Sequence, residues 1–328
     1  MTAVIEIENL TKDYEVGFWR QRRVRALDGL SLQVEQGEIF GFLGGNGAGK
    51  STTMKLLMRL IYPTTGGARI LNRDINEIGM HARIGYLPEH PYFYDYLTAR
   101  EFLVYCAELF GYARDECQRR AGEMLARVRL EEKSWDQQLR KFSKGMLQRV
   151  GLAQALVNDP EVVFLDEPMS GLDPVGRREV RDLIDSLRDC GTTVFLCSHI
   201  LSDIEVLCDR VAILQHGRLA HLGRLADLRQ NTGNRQMEII VALADTRQME
   251  TALRRIPDSQ LTPTPGGARI QVPAEQDVDA ALAAVRACGA KLISVQPVGN
   301  ALEELFVSER REENAASEIA TRIEAKDQ

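Results

Sequence analysis

The sequence predicts an α/β chain: a mainly parallel sheet with a helical subdomain, followed by a small α+β unit. Three observations carry this. Short continuous apolar runs at 84–88, 162–166 and 193–198 read as strands buried on both faces, the mark of a parallel sheet. The strand Glu38–Leu43 runs through a glycine-rich loop into an amphipathic helix. The stretch 237–298 alternates strand and helix patterns.

The elements follow in order. Residues 3–9 and 24–34 read as strands, with Asp28-Gly29 as a turn pair between apolar runs. After the loop, Met54, Leu57, Met58 and Ile61 fall at i, i+3, i+4 and i+7, and Pro63 stops the helix. Between Pro88 and Pro160 the chain reads as mainly helical and aromatic-rich at its start, an insertion between core strands. Strands 210–215 and 218–222 bracket His216-Gly217 as a hairpin. In the last unit a strand at 237–243 precedes a helix with Met249, Ala252, Leu253 and Ile256 on one face. A strand pair around Gln260–Thr262 and Ala268–Val272 is joined through Pro265-Gly266-Gly267. A helix carrying Val278, Ala281, Leu282 and Val285 ends at Gly289, and a strand at 292–298 closes the set. That order, β-α-β-β-α-β, is the ferredoxin-like pattern. The charged stretch 309–328 reads as a frayed helix or a disordered tail. The expected division is 1–230 with a helical subdomain at about 90–160, then 235–308, then the tail.

Composition bounds the function. The chain has 328 residues, 44% hydrophobic and 27% charged, which is roughly two domains' worth at about 150 residues each. Its net charge of −6 argues against nucleic acid as the main partner, because phosphate backbones want a basic face. No apolar stretch approaches the ~18–20 residues of a membrane helix, and no basic-then-apolar leader opens the chain. The expectation is a soluble, cytosolic protein that serves a membrane only as a subunit. The cysteines form no C-x-x-C pair and read as reduced core thiols.

The strongest chemical signal is Gly44-Gly45-Asn46-Gly47-Ala48-Gly49-Lys50-Ser51, which fits G-x-x-x-x-G-K-[ST] between a strand and a helix. Glycines let backbone N–H groups close around phosphate oxygens, and the helix start adds partial positive charge. Lys50 is placed to reach the β- and γ-phosphates, Ser51 to ligate Mg²⁺ and Thr52 to bond an α-phosphate oxygen. Val162-Val163-Phe164-Leu165-Asp166-Glu167 is an apolar strand ending in two carboxylates. Downstream of a phosphate loop, Asp166 reads as the Mg²⁺ holder and Glu167 as the group that orients or deprotonates the attacking water.

With these residues together, the chain resembles an ATP-binding-cassette (ABC) nucleotide-binding domain, a P-loop NTPase fold, over about residues 4–225. Phe142-Ser143-Lys144-Gly145-Met146 stands where that family usually has Leu-Ser-Gly-Gly-Gln, and Gln148-Arg149 follow. Ser170-Gly171-Leu172-Asp173 is similar to its D-loop, His199 to its switch histidine and Tyr14 to the aromatic residue that stacks on adenine. The resemblance implies a head-to-tail homodimer around two ATPs, in which Ser143 and Gly145 act on the nucleotide held by the other subunit. It places Asp173 among the nucleotide-binding residues. Three departures stand out. Gly45 replaces a common proline. Lys144 and Met146 replace glycine and glutamine. Glu89 stands where glutamine is usual. A carboxylate at 89 meets Mg²⁺ and water more strongly than an amide does, and it adds negative charge beside the triphosphate; an ordinary exposed loop acid is the other reading.

The single cassette, Pro88-Glu89-His90-Pro91-Tyr92-Phe93, the small C-terminal domain and Leu302-Glu303-Glu304-Leu305-Phe306 resemble the ATPase subunits of ABC-2-type exporters. That implies integral-membrane permease subunits as partners and a peripheral place on the cytoplasmic face of the inner membrane. Tyr92, Phe93, Tyr94 and Tyr96 fall where the family receives its permease, or form a local aromatic core. Arg20, Arg22, Arg23 and Arg25 form a solvated hairpin or face headgroups, an acidic partner or the nucleotide. The C-terminal unit, with Cys288 and no histidine, is a poor metal site and reads as a ligand sensor or a dimer brace. A soluble cassette ATPase of translation or DNA repair is the alternative; one cassette, no long coiled-coil insertion and no basic arm weigh against it. Intact Lys50, Asp166, Glu167 and His199 weigh against a non-hydrolysing binding module, and the lack of Asn-Lys-x-Asp against a GTPase.

Overall fold

The computed structural model describes residues 2–17, 22–227, 236–242, 246–254 and 256–297. The chain divides into two compact units, the first ending at Leu225. Arg20, the 302–306 segment and the 309–328 tail lie outside the described residues.

The first unit is built on two sheets. Strands β1 (Ala3–Val16), β2 (Arg22–Glu35), β4 (Thr65–Ile70) and β5 (Arg73–Asp74) form an antiparallel sheet in the order β2-β1-β4-β5. Strands β3 (Ile39–Gly44), β6 (Ile84–Leu87), β7 (Val162–Asp166), β8 (Thr193–Ser198), β9 (Arg210–Gln215) and β10 (Arg218–Arg224) form the second, in the order β10-β9-β3-β8-β7-β6. All its neighbours are parallel except the β9–β10 hairpin. Strands β3, β7 and β8 are buried along their whole length, which is why they read as unbroken apolar runs. Phe40, Phe42 and Phe164 all pack on Phe195, with ring centroids 5.2–5.5 Å apart. One core joins this layer to Ile5, Ile7, Leu10 and Leu27 of the other sheet and to Met54 and Leu57 of α1 (Lys50–Leu57). The phosphate loop therefore sits on two packed layers, so its backbone is held before any ligand arrives.

The helical subdomain contains α2 (Ala99–Leu109), α3 (Arg114–Arg127) and α4 (Lys144–Leu156). Thr98 and Glu101 close a capping box on α2: each side chain accepts a hydrogen bond from the other's backbone N–H. The chain returns through β7 to α5 (Pro174–Asp189), then β8 and α6 (Leu201–Leu207).

Two readings of the sequence are corrected here, and two strands go unread in it. Asp28-Gly29 does not turn the chain. It lies inside β2 at a bulge, where Leu10 pairs with Leu30 but Lys12 pairs with Leu27, and Gly29 takes φ 65°. The helix after the loop ends at Leu57 and not at Ile61. Arg59 adopts φ 54°, and Ile61 packs on the same core without being helical. Strands β4 and β5 have no counterpart in the sequence reading. The aromatic segment divides. Phe93 packs edge-on against Phe102 at 5.2 Å, whereas Tyr92 is 91% exposed. Arg25 lies 2.8 Å from Asp13 and 3.0 Å from Asp28. Arg23 sits 3.9 Å from Glu15 on the same solvated strand pair.

The second unit contains β11 (Met237–Ala242), α7 (Thr246–Leu253), β12 (Gln260–Thr264), β13 (Gly267–Val272), α8 (Val278–Ala287) and β14 (Lys291–Pro297). Its antiparallel sheet runs β12-β13-β11-β14, the ferredoxin-like order. Ile239, Val241 and Ile270 pack against Met249, Leu253, Ala281 and Val285 of the two helices.

Candidate functional site

The phosphate loop lines a cavity of about 480 Å³. Gly45, Asn46, Gly47, Gly49, Lys50, Ser51 and Thr52 form one wall, with Glu89, Asp166, Glu167 and His199 across from them. Gly47 and Gly49 take φ 81° and 111°, values that side-chain-bearing residues rarely adopt. Gly44 lies beneath the loop, where an added Cβ would meet Leu214 O at 2.7 Å. Lys50 Nζ donates to Gly44 O at 2.7 Å and Gly45 O at 3.3 Å, so the ammonium is already curled over the loop. The first turn of α1 carries no acid, which leaves its N–H groups and partial positive charge to the cavity.

The opposite wall comes from the ends of β7 and β8. Asp166 is the last residue of β7 and is 4% exposed. Burial, reinforced by the charges of Glu89 and Glu167, pushes its carboxyl up to about 6, against the pull of Lys50 and Lys55. Glu167 is buried and adopts φ 51°, with its N–H donating to Cys197 O at 3.0 Å. That bond pins a left-handed residue to the neighbouring strand and turns its side chain into the cavity. His199 Nδ1 lies 2.7 Å from Glu167 Oε1, and Ser198 Oγ donates to Oε2 at 3.4 Å. The ring of His199 is otherwise open, with its side chain 59% exposed. A carboxylate clamped by a histidine at the mouth of a phosphate-binding loop can hold a water against a terminal phosphate.

The donor set also suits Mg²⁺. Ser51, Asp166 and Glu89 present hard oxygens to one cavity, and the raised Asp166 shows negative charge awaiting a counter-charge. Among the described residues no three His, Cys, Asp or Glu side chains make a metal cage. Mg²⁺ is commonly held by one or two carboxylates, with phosphates and water completing its shell.

Four of the residues expected at the site lie elsewhere in this chain. Ser143, Gly145 and Asp173 line a second cavity of about 970 Å³. There Ser143 caps α4 by accepting from Met146 N–H at 3.3 Å, and Asp173 caps α5 by accepting from Gly176 N–H at 2.8 Å. Tyr14, on β1, does not line the first cavity; Lys12 Nζ stands 5.3 Å from its ring centroid and donates to Tyr62 O. Sequence reasoning missed Ala26, which lines the first cavity from β2, and Ser198, the second anchor of Glu167. The place of Ser198 beside His199 at a strand end was the available signal. Gln148, buried on α4, donates to Pro168 O at 2.9 Å and so ties the helix after Ser143 to the turn after Glu167.

A phosphate loop, paired carboxylates after a buried parallel strand and a histidine on the next strand define a nucleotide-hydrolysing class of protein. The comparisons narrow the class. The family model described as ABC transporter matches residues 27–170. An uncharacterised ABC transporter ATP-binding protein of Synechocystis is 44% identical over 310 residues, covering 94% of this chain and 85% of its own. The bacitracin transport ATP-binding protein BcrA of Bacillus licheniformis is 42% identical over 222 residues, 67% of this chain and 69% of its own. The daunorubicin/doxorubicin resistance ATP-binding protein DrrA of Streptomyces peucetius is 35% identical over 248 residues, 75% of this chain and 73% of its own. A dimeric ATP-binding cassette solved with ADP and Pi has a TM-score of 0.62 at 27% identity, covering 67% of this chain and 98% of that one. The chain belongs to the ATP-binding proteins of ABC transporters, and it is an ATPase of that family.

Proposed function

We propose that two copies of this chain close around two ATPs and drive a separate membrane permease of the ABC-2 export type. The observation that carries the chemistry is the Glu167–His199 contact of 2.7 Å facing the phosphate loop. Glu167 orients the attacking water and accepts its proton. His199 donates through Nδ1 to the carboxylate and fixes its direction, leaving the outer ring nitrogen toward the terminal phosphate. Lys50 and the loop N–H groups of Gly44, Asn46, Gly47 and Gly49 offset charge on the β- and γ-phosphates as it spreads over the equatorial oxygens. Thr52 binds nearer the α-phosphate, and Tyr14 stacks on adenine. Ser51, Asp166 and Glu89 would hold Mg²⁺, which would supply positive charge to offset that of the triphosphate. The second cavity supplies Ser143, Gly145 and Asp173 to the nucleotide of the partner copy; its separation from the phosphate loop within one chain supports that reading.

Export is supported by the printed roles of BcrA in bacitracin transport and DrrA in drug resistance. Among the described residues no helix is long and apolar enough to cross a membrane. We place the chain at the cytoplasmic face of the inner membrane, held there by permease subunits. Capture of the tagged chain from detergent-solubilised membranes tests this: a co-purifying multi-span protein and ATPase activity that chelation of Mg²⁺ abolishes are expected. A chain recovered only free in the soluble fraction would overturn the coupling.

Among the described residues, those lining the phosphate-loop cavity all precede Leu225, and we propose 1–230 as the ATP-binding domain and 235–308 as an accessory one. A chain ended at Leu225 is expected to bind a fluorescent ATP analogue with unaltered affinity. A folded truncation that no longer binds it would make the second unit part of the site.

A further inference from the structure

Lys144 stands where the family's usual residue is glycine, and the structure shows where its charge goes. Its stem lies across the backbone of Gly171: a methyl group added at Gly171 would sit 2.6 Å from Lys144 Cε and Nζ. Gly171 takes φ 73°, which disfavours a side chain, and the bare backbone there is what the lysine stem lies against. The lysine is thereby seated along the wall of the second cavity, beside Ser143 and Gly145. Arg149 and Arg129 of that wall are engaged, 2.5 Å and 3.7 Å from Glu179, and Lys133 lies 2.5 Å from Glu131; Lys141, on the same wall, has no ion pair among the described residues and lacks the Gly171 seat. The nearby carboxylate of Asp173 is occupied as the cap of α5. Among the described residues Lys144 has no acidic partner.

We propose that Lys144 is a further catalytic residue, whose ammonium contacts the terminal phosphate of the ATP held by a second copy of the chain. The proposal rests on the paired arrangement given above and adds to it a cation. Lys50 meets the triphosphate from the chain that binds it, and Lys144 meets it from the chain that closes over it. A long side chain in water loses rotamer freedom when it binds. Here the stem already lies along Gly171 on the cavity wall, which lowers the ordering the contact requires.

The test uses the full chain in the Glu167→Gln background, where the ATP-bound pair accumulates. Lys144→Met keeps the stem and removes the charge; Lys144→Arg keeps the charge. Light scattering gives the ATP concentration for half-dimerisation. It is expected to rise by about ten- to a hundredfold for Lys144→Met, the scale of a hydrogen bond to a charged group, and to return toward the parent value for Lys144→Arg. An ATP analogue with an amine-reactive acyl group on its terminal phosphate is expected to label Lys144 in the dimer but not in the monomer. Half-dimerisation of Lys144→Met at the parent's ATP concentration, or labelling at Lys141 with none at Lys144, overturns the role of Lys144 and leaves the pairing intact. Failure of the Glu167→Gln parent itself to dimerise would remove the pairing and this proposal with it.

Discussion

Glu167→Gln is expected to lower ATP turnover by about 10²- to 10⁴-fold while leaving ATP binding in place. The substitution is nearly isosteric, and the two groups that hold Glu167 have a use for the amide. His199 Nδ1 and Ser198 Oγ each lie within reach of a side-chain oxygen, at 2.7 and 3.4 Å, and the amide carbonyl can take one of these bonds. What the amide cannot do is accept a proton from water. The backbone of residue 167 stays at φ 51°, held by its bond to Cys197 O, so the loop is not expected to relax. Single-turnover hydrolysis separates this from a binding defect, and light scattering should show the variant pairing when ATP is added. Turnover like that of the wild type would remove Glu167 from the chemistry and leave His199 without a reason to face it.

The candidate phosphate-binding residues were legible in the sequence because their chemistry restricts the backbone. Gly47 and Gly49 need left-handed φ, and a loop with that need shows glycines at fixed spacing. Asp166 and Glu167 were legible because they follow a buried strand downstream of a phosphate loop; alone, two acids there read equally as a strand's polar end. What could not be read is what long-range pairing decides. Asp28-Gly29 suits a turn and a bulge equally, and only the pairing of β1 with β2 chooses the bulge. Ile61 keeps a helical spacing, yet the chain turns back at Arg59 and reaches the same core by another path. Thr65-Gly66-Gly67 dilutes the apolar signal of β4, whose place comes from its pairing with β1. Gly151 of α4 is crowded by Leu87 of β6 and by Pro91 and Phe93 of the aromatic segment, contacts that no local spacing announces. Tyr14, Ser143, Gly145 and Asp173 are proposed on resemblance; in the folded chain none of them lines the phosphate-loop cavity.

Asp166→Asn is expected to stabilise the metal-free protein at neutral pH and to abolish its hydrolysis. The sign follows from the carboxyl itself. In the unfolded chain Asp166 has its ordinary value of 3.8, and in the folded protein it is pushed up to about 6 by burial and by Glu89 and Glu167. Between those values the folded state binds the proton more tightly than the unfolded one. Stability therefore falls as pH rises from about 4 to about 6, and it stays at the lower level above that. Asparagine carries no charge to bury. Urea denaturation in the presence of a chelator should find the variant more stable by about 2–3 kcal/mol at pH 7.5, with the difference vanishing near pH 3.5. Addition of ATP and Mg²⁺ should then favour the wild type, because a ligand that binds only the folded state stabilises in proportion to its affinity. Equal stability of the two proteins at both pH values would mean that the ionised Asp166 is no burden to the fold. The expected reversal on adding ligand would make the cost of that buried charge part of the device: the folded chain keeps an uncompensated carboxylate at the end of β7 so that a cation arriving with the nucleotide has something to relieve.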